Sequence, residues 1–373
     1  MDPQTVFCPN LDCPARGQVG RGNIGVHHIR ERRYICHVCN KTFSATKGTP
    51  FYRLRTDGDQ VVRVLALLAH GCPVCAIVFA FGIDERTVRD WEQRAGQHCE
   101  QVHEHLVQQP RDLGQVQADE IRVKMQSVIV WLAMAMQVST RLWLGATVGE
   151  HRDEALLTAL MQRVRACALC RPLLFCADGF CAYLGAIHTV FREAIPTGQL
   201  GRPHLRPWDG ILIAQVVKQY ARGHVVAVLR RIVQGTEAQV NVLVQATQGK
   251  GVINTAYIER INATFRARLA GLVRRGRCLL HQTPTLQAGV YWVGTVYNFC
   301  TNHDSLRVPL YLGRVGRRHW VLRTPAMAAG ITDHCWTVSE LLAYHVPPAR
   351  WTPPKRRGRP SQSTQELVRQ WCQ

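Results

Sequence analysis

Gln115-Val116-Gln117-Ala118-Asp119-Glu120-Ile121-Arg122-Val123 reads as a β-strand with two neighbouring carboxylates at its centre. An ionised acid in the middle of such a run carries a desolvation cost unless a cation meets it. Successive side chains of a strand point to opposite faces, so Asp119 shares a face with Ile121 and Val123 while Glu120 takes the other. Asp119 is therefore the preferred candidate and Glu120 the second choice. Working outward, Ser127 to Val138 and Thr140 to Val148 read as two more strands at hairpin separations, which predicts three antiparallel strands. Asp153 to Ala166 carries Leu156, Leu160 and Val164 on one stripe and predicts an amphipathic helix. Pro172 to Ala177 is a short apolar strand ending at Asp178-Gly179. Acids at the carboxyl ends of buried strands often belong to active sites, although an isolated Asp-Gly is also a common turn.

Three antiparallel strands, a helix and a buried strand form the order of an RNase H-like fold. That arrangement supplies one Asp from the first strand, another from the end of the fourth, and a third acid from a later helix. The third candidate is Glu259, in Tyr257-Ile258-Glu259-Arg260-Ile261-Asn262-Ala263-Thr264-Phe265-Arg266. Ile258, Ile261, Phe265 and Leu269 make the apolar stripe of a helix, and Glu259, Asn262 and Arg266 share another face. Two Mg²⁺ ions held by such carboxylates activate an attacking oxygen and stabilise a leaving one in phosphodiester cleavage. Ile211 to Tyr220 and His224 to Gln234 lengthen the interval between Asp178 and Glu259, and predict an added hairpin or an extended sheet.

Upstream, Cys8, Cys13, Cys36 and Cys39 follow C-x4-C, a 22-residue gap, then C-x2-C. Two knuckles with two thiolates each can close a tetrahedral Zn²⁺ site, and a segment with so little core would draw folding energy from the metal. Cys72/Cys75 and Cys167/Cys170 repeat the short spacing without a matching pair, and read as structural. Residues 58 to 108 look wholly helical: Gln60 to Ala69, then Pro73 to Gly82, then a longer helix capped by Asp84. That is a helix-turn-helix pattern in which Arg86, Arg89 and Arg94 would face DNA and Val88 and Trp91 the core. A three-helix bundle without DNA fits the same periodicity. Forty-six Lys plus Arg against 26 Asp plus Glu leave +20, mostly as Arg, which favours a polyanionic partner.

Together Asp119-Glu120, Ala177-Asp178-Gly179 and Asn254 to Arg266 resemble the signature regions of DDE transposases of bacterial and archaeal insertion sequences. The closest group carries an N-terminal zinc ribbon and helix-turn-helix. Tyr297-Asn298-Phe299-Cys300 with His303 and Leu306, and Thr324-Pro325-Ala326-Met327-Ala328-Ala329-Gly330, resemble that group's later segments, so the likeness spans nearly the whole chain. It implies an RNase H-like catalytic domain with a mixed sheet, Mg²⁺ or Mn²⁺ dependence, recognition of terminal inverted repeats, and catalytic positions at Asp119, Asp178 and Glu259. Double-stranded DNA, as element ends and as target, would be the partner, with a homodimer or larger assembly formed on it.

The resulting organisation is multidomain: a zinc ribbon at 1–50, an all-α helix-turn-helix at 51–108, an α/β RNase H-like domain at 109–305, and a basic C-terminal region at 306–373. Arg260, Asn262, Arg266, Arg268, Arg274 and Arg275 would contact DNA beside the acids. In the tail, Lys355-Arg356-Arg357-Gly358-Arg359-Pro360 resembles an AT-hook, with Arg357 and Arg359 reaching into a narrow minor groove. A disordered basic tail with general phosphate affinity is the other reading. No secretory signal and no apolar run of membrane-spanning length is visible, which predicts a cytoplasmic, nucleoid-associated protein without a membrane partner. Two other functions fit parts of the pattern: a non-catalytic DNA-binding regulator, and a metal-dependent nuclease that cuts without joining.

Overall fold

The computed structural model describes residues 1–195, 203–273, 280–310, 319–353, 358 and 360–372. The chain forms two compact units, Met1–Gly58 with Leu342–Gln373, and Asp59–Leu341. In the first unit β1 (Ile24–His28), β2 (Arg33–Cys36) and β3 (Thr42–Ser44) make a three-stranded antiparallel sheet. Tyr34 and Phe43 stack at 5.7 Å beside the buried Cys8, Cys13 and Cys36.

The second unit begins with three helices, α1 (Gly58–Ala69), α2 (Val74–Phe81) and α3 (Glu85–Leu106). Gly82, at φ 63°, closes α2 in the left-handed conformation that glycine tolerates. Asp84 then caps α3 by accepting the Arg86 N–H at 2.8 Å, as its place in the sequence predicts. β4 (Gln115–Lys124), β5 (Ile129–Gln137) and β6 (Trp143–Gly149) are the three expected antiparallel strands. α4 (Glu154–Cys167) leads to β7 (Leu173–Asp178), which runs parallel to β4. After α5 (Ala182–Val190), β8 (Arg192–Ile195) and β9 (His204–Pro207) pair as a small antiparallel ribbon.

The long interval before Glu259 is β10 (Ile211–Ala221) and β11 (His224–Gln234), an antiparallel hairpin whose β10 lies parallel to β7. One sheet results, six-stranded and mixed, in the order β11-β10-β7-β4-β5-β6. α6 (Glu237–Gln248), α7 (Ala256–Arg268) and α8 (Thr283–Cys300) follow. Alternation divides β4 between two cores: Val116 and Ala118 pack with α4 and α5, whereas Ile121 and Val123 pack with α7 and α8. The remaining elements are β12 (His303–Leu310) paired with β13 (His319–Arg323), then α9 (Pro325–Ala328), α10 (Val338–Ala343) and α11 (Gln362–Trp371), eleven α-helices among the described residues.

Two placements differ from the four-part division read from the sequence. α3 shares a compact unit with the sheet that follows it. It runs on along α8 so closely that a methyl group on Gly96 would stand 2.2 Å from the Ala288 carbonyl oxygen. The C-terminal region is not wholly a tail either. Leu367 and Trp371, one turn apart on α11, pack into the cysteine-lined core of the first unit, and Gln18 Nε2 donates to the Trp371 carbonyl at 2.7 Å. The polar, basic run before that helix masked the pair.

Asn298, within the Tyr-Asn-Phe-Cys segment, is buried and bridges both backbone groups of Trp143 at 2.9 Å each. It ties α8 to β6 beside Gly294, where an added Cβ would meet the Trp143 ring at 2.4 Å. Gly96→Ala should lower stability by about 1–3 kcal/mol, because the obstructing atom is backbone and cannot rotate away. Thermal unfolding of the purified variant checks this, and an unchanged midpoint would mean that α3 and α8 are not held at this distance.

Candidate functional site

Among the described residues, three or more ligand-capable groups gather at two places. The first is Cys8, Cys13, Cys36 and Cys39. Their sulfurs all lie within 4.8 Å of one another, with Cys8–Cys39 at 3.7 Å and Cys13–Cys36 at 3.8 Å. Tetrahedral Zn²⁺ with Zn–S near 2.3 Å sets its sulfurs about 3.8 Å apart, so the four thiols fit such an ion without rearrangement. Burial pushes the Cys13 thiol up to about 12 and raises Cys8 as well. Cys39 is lowered in spite of burial, by the Lys41 backbone, Asn10 and the neighbouring thiols. Three of the four are buried, and a metal such as zinc is the natural counter-charge for thiolates held there.

The second place is at the carboxyl ends of β4 and β7. Pairing of these parallel strands stops at Gln117 and Cys176, two residues before Asp119 and Asp178, which therefore stand side by side where the ladder opens. Asp119, Glu120 and Asp178 each bring a carboxylate oxygen within 4.8 Å of the others. They line a cleft of about 710 Å³ whose far wall is β10 and α7, including Lys218, Glu259, Asn262 and Arg266. The wall is fixed by Gln117, wholly buried on the Asp119 face. Its Oε1 accepts two N–H groups in the first turn of α7, Tyr257 at 3.1 Å and Ile258 at 3.0 Å, and its Nε2 donates to the Asn254 carbonyl at 2.7 Å. One turn into α7, Asn262 Nδ2 donates to Asp119 Oδ2 at 2.7 Å. Its Oδ1 is buried and unpartnered on the lining of the cleft.

The electrostatics follow from burial and from crowding of like charges. Burial, and then Glu120, Asp178 and Glu259 nearby, push the Asp119 carboxyl up to about 6, against the backbone N–H of Glu120. Burial also raises Glu120, whose side chain is only 1% exposed. Arg152 supplies the compensating cation, bonding Glu120 Oε2 at 2.7 Å and Asp178 Oδ2 at 2.6 Å while packed over the Phe180 ring. The buried Tyr183 hydroxyl faces the same Glu120 without a hydrogen bond of ordinary geometry. Asp178 Oδ1 accepts the Phe180 N–H at 2.9 Å. Across the cleft Glu259 is 44% exposed; burial raises its carboxyl, but Lys218 Nζ at 2.6 Å and Thr255 Oγ1 at 2.7 Å outweigh that and hold it below the usual range. A set of hard oxygen ligands with an unpartnered amide oxygen alongside fits Mg²⁺ or a similar cation.

The residues singled out from the sequence thus fall into three groups. Asp119, Asp178, Glu259, Asn262 and Arg266 meet around one cleft, with Glu259 on the opposite wall from the close-set acids. Glu120, ranked second by strand alternation, joins Asp119 and Asp178 instead. Arg86, Arg89 and Arg94 lie along α3 and do not line the cleft; Arg86 and Arg89 are exposed, and Arg89 and Arg94 pair with Glu85 and Asp90 of the same helix at 2.6 and 2.8 Å. Arg260 and Arg268 sit on the side of α7 away from the acids, lining a different cleft. Arg274, Arg275, Arg357 and Arg359 lie outside the described residues. Arg152 and Lys218 are the site residues that sequence reading missed. A single Arg before a helix cap and a Lys on an apolar strand carry no local signal. No protein-family model matches the chain, and no curated protein matches it.

The Asp119 carboxyl titrates near 6 in the fold against 3.8 in a free chain. The stability it contributes is therefore present below pH 4 and lost as pH rises through 6. In metal-free buffer, the stability of Asp119→Asn relative to wild type should grow by about 2–4 °C as pH rises from 4 to 7, with the advantage shrinking when millimolar Mg²⁺ is added. A pH-independent difference in scanning fluorimetry would contradict this. At the cysteine cluster, one equivalent of zinc per chain is expected by elemental analysis. Cys36→Ser should lose it, together with near-ultraviolet signal from Tyr34, and retention of both would exclude a four-thiolate site.

Proposed function

We propose that this chain is a DDE-type DNA transposase, binding the ends of its element and carrying out cation-dependent strand cleavage and transfer. The observation that carries the reading is the meeting of Asp119, Asp178 and Glu259, far apart in the chain, on the walls of one cleft at the carboxyl ends of parallel strands. Three antiparallel strands followed by parallel β7 and β10 support an RNase H-like reading of the catalytic domain. α2, the turn at Gly82 and α3 support a helix-turn-helix, with Arg86 and Arg89 exposed at the start of the second helix. The four-cysteine sheet supports a zinc ribbon ahead of it. Double-stranded DNA is the proposed partner and a dimer or larger assembly the proposed working form, since two element ends must be joined. Among the described residues, no helix is long and apolar enough to cross a membrane.

Asp119, Glu120 and Asp178 would hold the divalent cation, with Glu259 facing them. When bound, Mg²⁺ or Mn²⁺ neutralises charge on the phosphodiester and lowers the barrier to in-line displacement. The protein's own groups do the rest. Asn262 and the Glu120 N–H orient the two oxygens of Asp119. Arg152 bridges Glu120 and Asp178 and holds the two carboxylates beside each other. Lys218 fixes Glu259, and Arg266 on the lining offers a guanidinium to a phosphate oxygen entering the cleft.

Purified protein incubated with the DNA flanking its own gene and Mg²⁺ tests the proposal, with nicked and joined products read on a sequencing gel. Asp119→Asn, Asp178→Asn and Glu259→Gln should each cut cleavage by at least about 100-fold, the scale of losing one electrostatic stabiliser of a transition state, while DNA binding persists. Undiminished cleavage by any of them removes that residue from the machinery. Products that are cut and never joined would reassign the chain as a nuclease.

A further inference from the structure

α7 has a second working face. At 100° per residue, Glu259, Asn262 and Arg266 centre about 180° from Tyr257, Arg260, Thr264 and Arg268. The first set lines the acidic cleft, and the second lines another cleft of about 460 Å³ together with Arg141 and His303. Here the charge is reversed. The Arg141 guanidinium lies over the Tyr257 ring at 3.8 Å, and Arg268 Nη1 reaches Thr301 Oγ1 at 3.5 Å. Among the described residues, no carboxylate forms an ion pair with Arg141, Arg260 or Arg268. The stretches 274–279 and 311–318 contain no Asp or Glu that could supply one. Asp304, exposed at the rim, is the one acid on the lining.

Burial lowers Arg141 and Arg268, and Arg260 lowers Arg141 further. His303 is brought down to about 4 by burial and by Arg268, Arg141 and Arg260, so its imidazole is neutral at physiological pH. Its Nε2 is buried without a hydrogen-bond partner on the lining of the cleft. Guanidinium forks match the paired oxygens of a phosphate, and a site that concentrates several of them without a counter-ion is built to receive an anion.

We propose that this cleft is a second phosphate-binding site, taking a phosphodiester of the DNA backbone a few nucleotides from the one at the acids. The anion chemistry stands on the cleft itself; only the choice of DNA as occupant rests on the transposase reading. Spacing agrees with it: an α-helix with its side chains is about 10–12 Å across, about the advance of three nucleotides along the axis of a duplex at 3.4 Å each. A single strand draped over α7 would then be gripped on one side while it is presented to the acids on the other.

The test uses the full-length protein and Arg260→Gln, Arg268→Gln and their double variant, with Arg260→Lys as the conservative control. Binding to a duplex of the element end and to an unrelated duplex is followed by fluorescence anisotropy across a salt series. Each Gln variant should weaken both duplexes alike, by about 5–10-fold, and reduce the slope of log K against log salt by about one, with Arg260→Lys recovering most of the loss. Folding is monitored by thermal unfolding, and stabilisation by Mg²⁺ should be unchanged because the acids are untouched. Wild-type affinity and slope in the double variant would overturn the second site, while leaving the transposase reading intact if cleavage continues. Stabilisation of wild type by inorganic phosphate, absent in the double variant, with no binding of either duplex, would keep the anion site but remove DNA as its occupant and the transposase reading with it.

Discussion

A buried glutamine organises this molecule. Gln117 sits two residues before Asp119 on the same face of β4, and its side-chain oxygen takes the Tyr257 and Ile258 N–H groups in the first turn of α7 while its amide nitrogen holds the turn before that helix. A helix start leaves donors without intrahelical partners, and in an interior with no water those donors must find an acceptor. The placement of α7 that satisfies them from Gln117 also puts Asn262 against Asp119 and Glu259 across the cleft from it. Gln115 repeats the device one step up the strand, accepting from Thr247 and Gln248 at the end of α6. Two buried glutamines of one strand thus hold the end of α6 and the start of α7.

The same face explains why the acids tolerate one another. Close carboxylates repel, and the repulsion is met here by Arg152 on one side and Lys218 on the other, each bonded to a carboxylate and neither neutralising all of them. The elevated Asp119 carboxyl records its burial first and then the repulsion that remains. α7 then separates a cleft short of positive charge from one short of negative charge, with apolar Ile258 and Phe265 buried in the core. A polyanion with bound divalent cations is the one kind of ligand that answers both shortages at once, which is the physical attraction of the proposed strand chemistry.

Rigidity is supplied from behind. α8 is buried along nearly its whole length, crosses α3 at the contact of Gly96 with Ala288, and is fastened to β6 by Asn298. A shift of α3 is therefore resisted by the same helix that supports the sheet beside the acids. The helices preceding the sheet belong to its compact unit, and no flexible linker divides them from it.

Much of this was legible in the chain itself. Local chemistry settled it: strand-like runs at hairpin separations across 115–148 mark the antiparallel strands, Asp84 and Gly82 punctuate the helices, and the C-x4-C and C-x2-C spacings announce the four-thiol cluster. Each of these depends on residues within a few positions of one another. Tertiary structure alone decided the rest. Alternation assigned Glu120 to the wrong company, because it gives the direction of a Cβ and says nothing of how far a longer side chain reaches where two strands part. Arg152, Lys218 and Gln117 carry no local pattern, and their roles arise from partners 26 to 141 positions away in sequence. Trp371 likewise reads as the end of a basic tail until the cysteine core it fills is folded. Periodicity and spacing encode which elements form. Which charges face each other is set by packing, since Coulomb and hydrogen-bond energies depend on distances through space that no local stretch of sequence specifies.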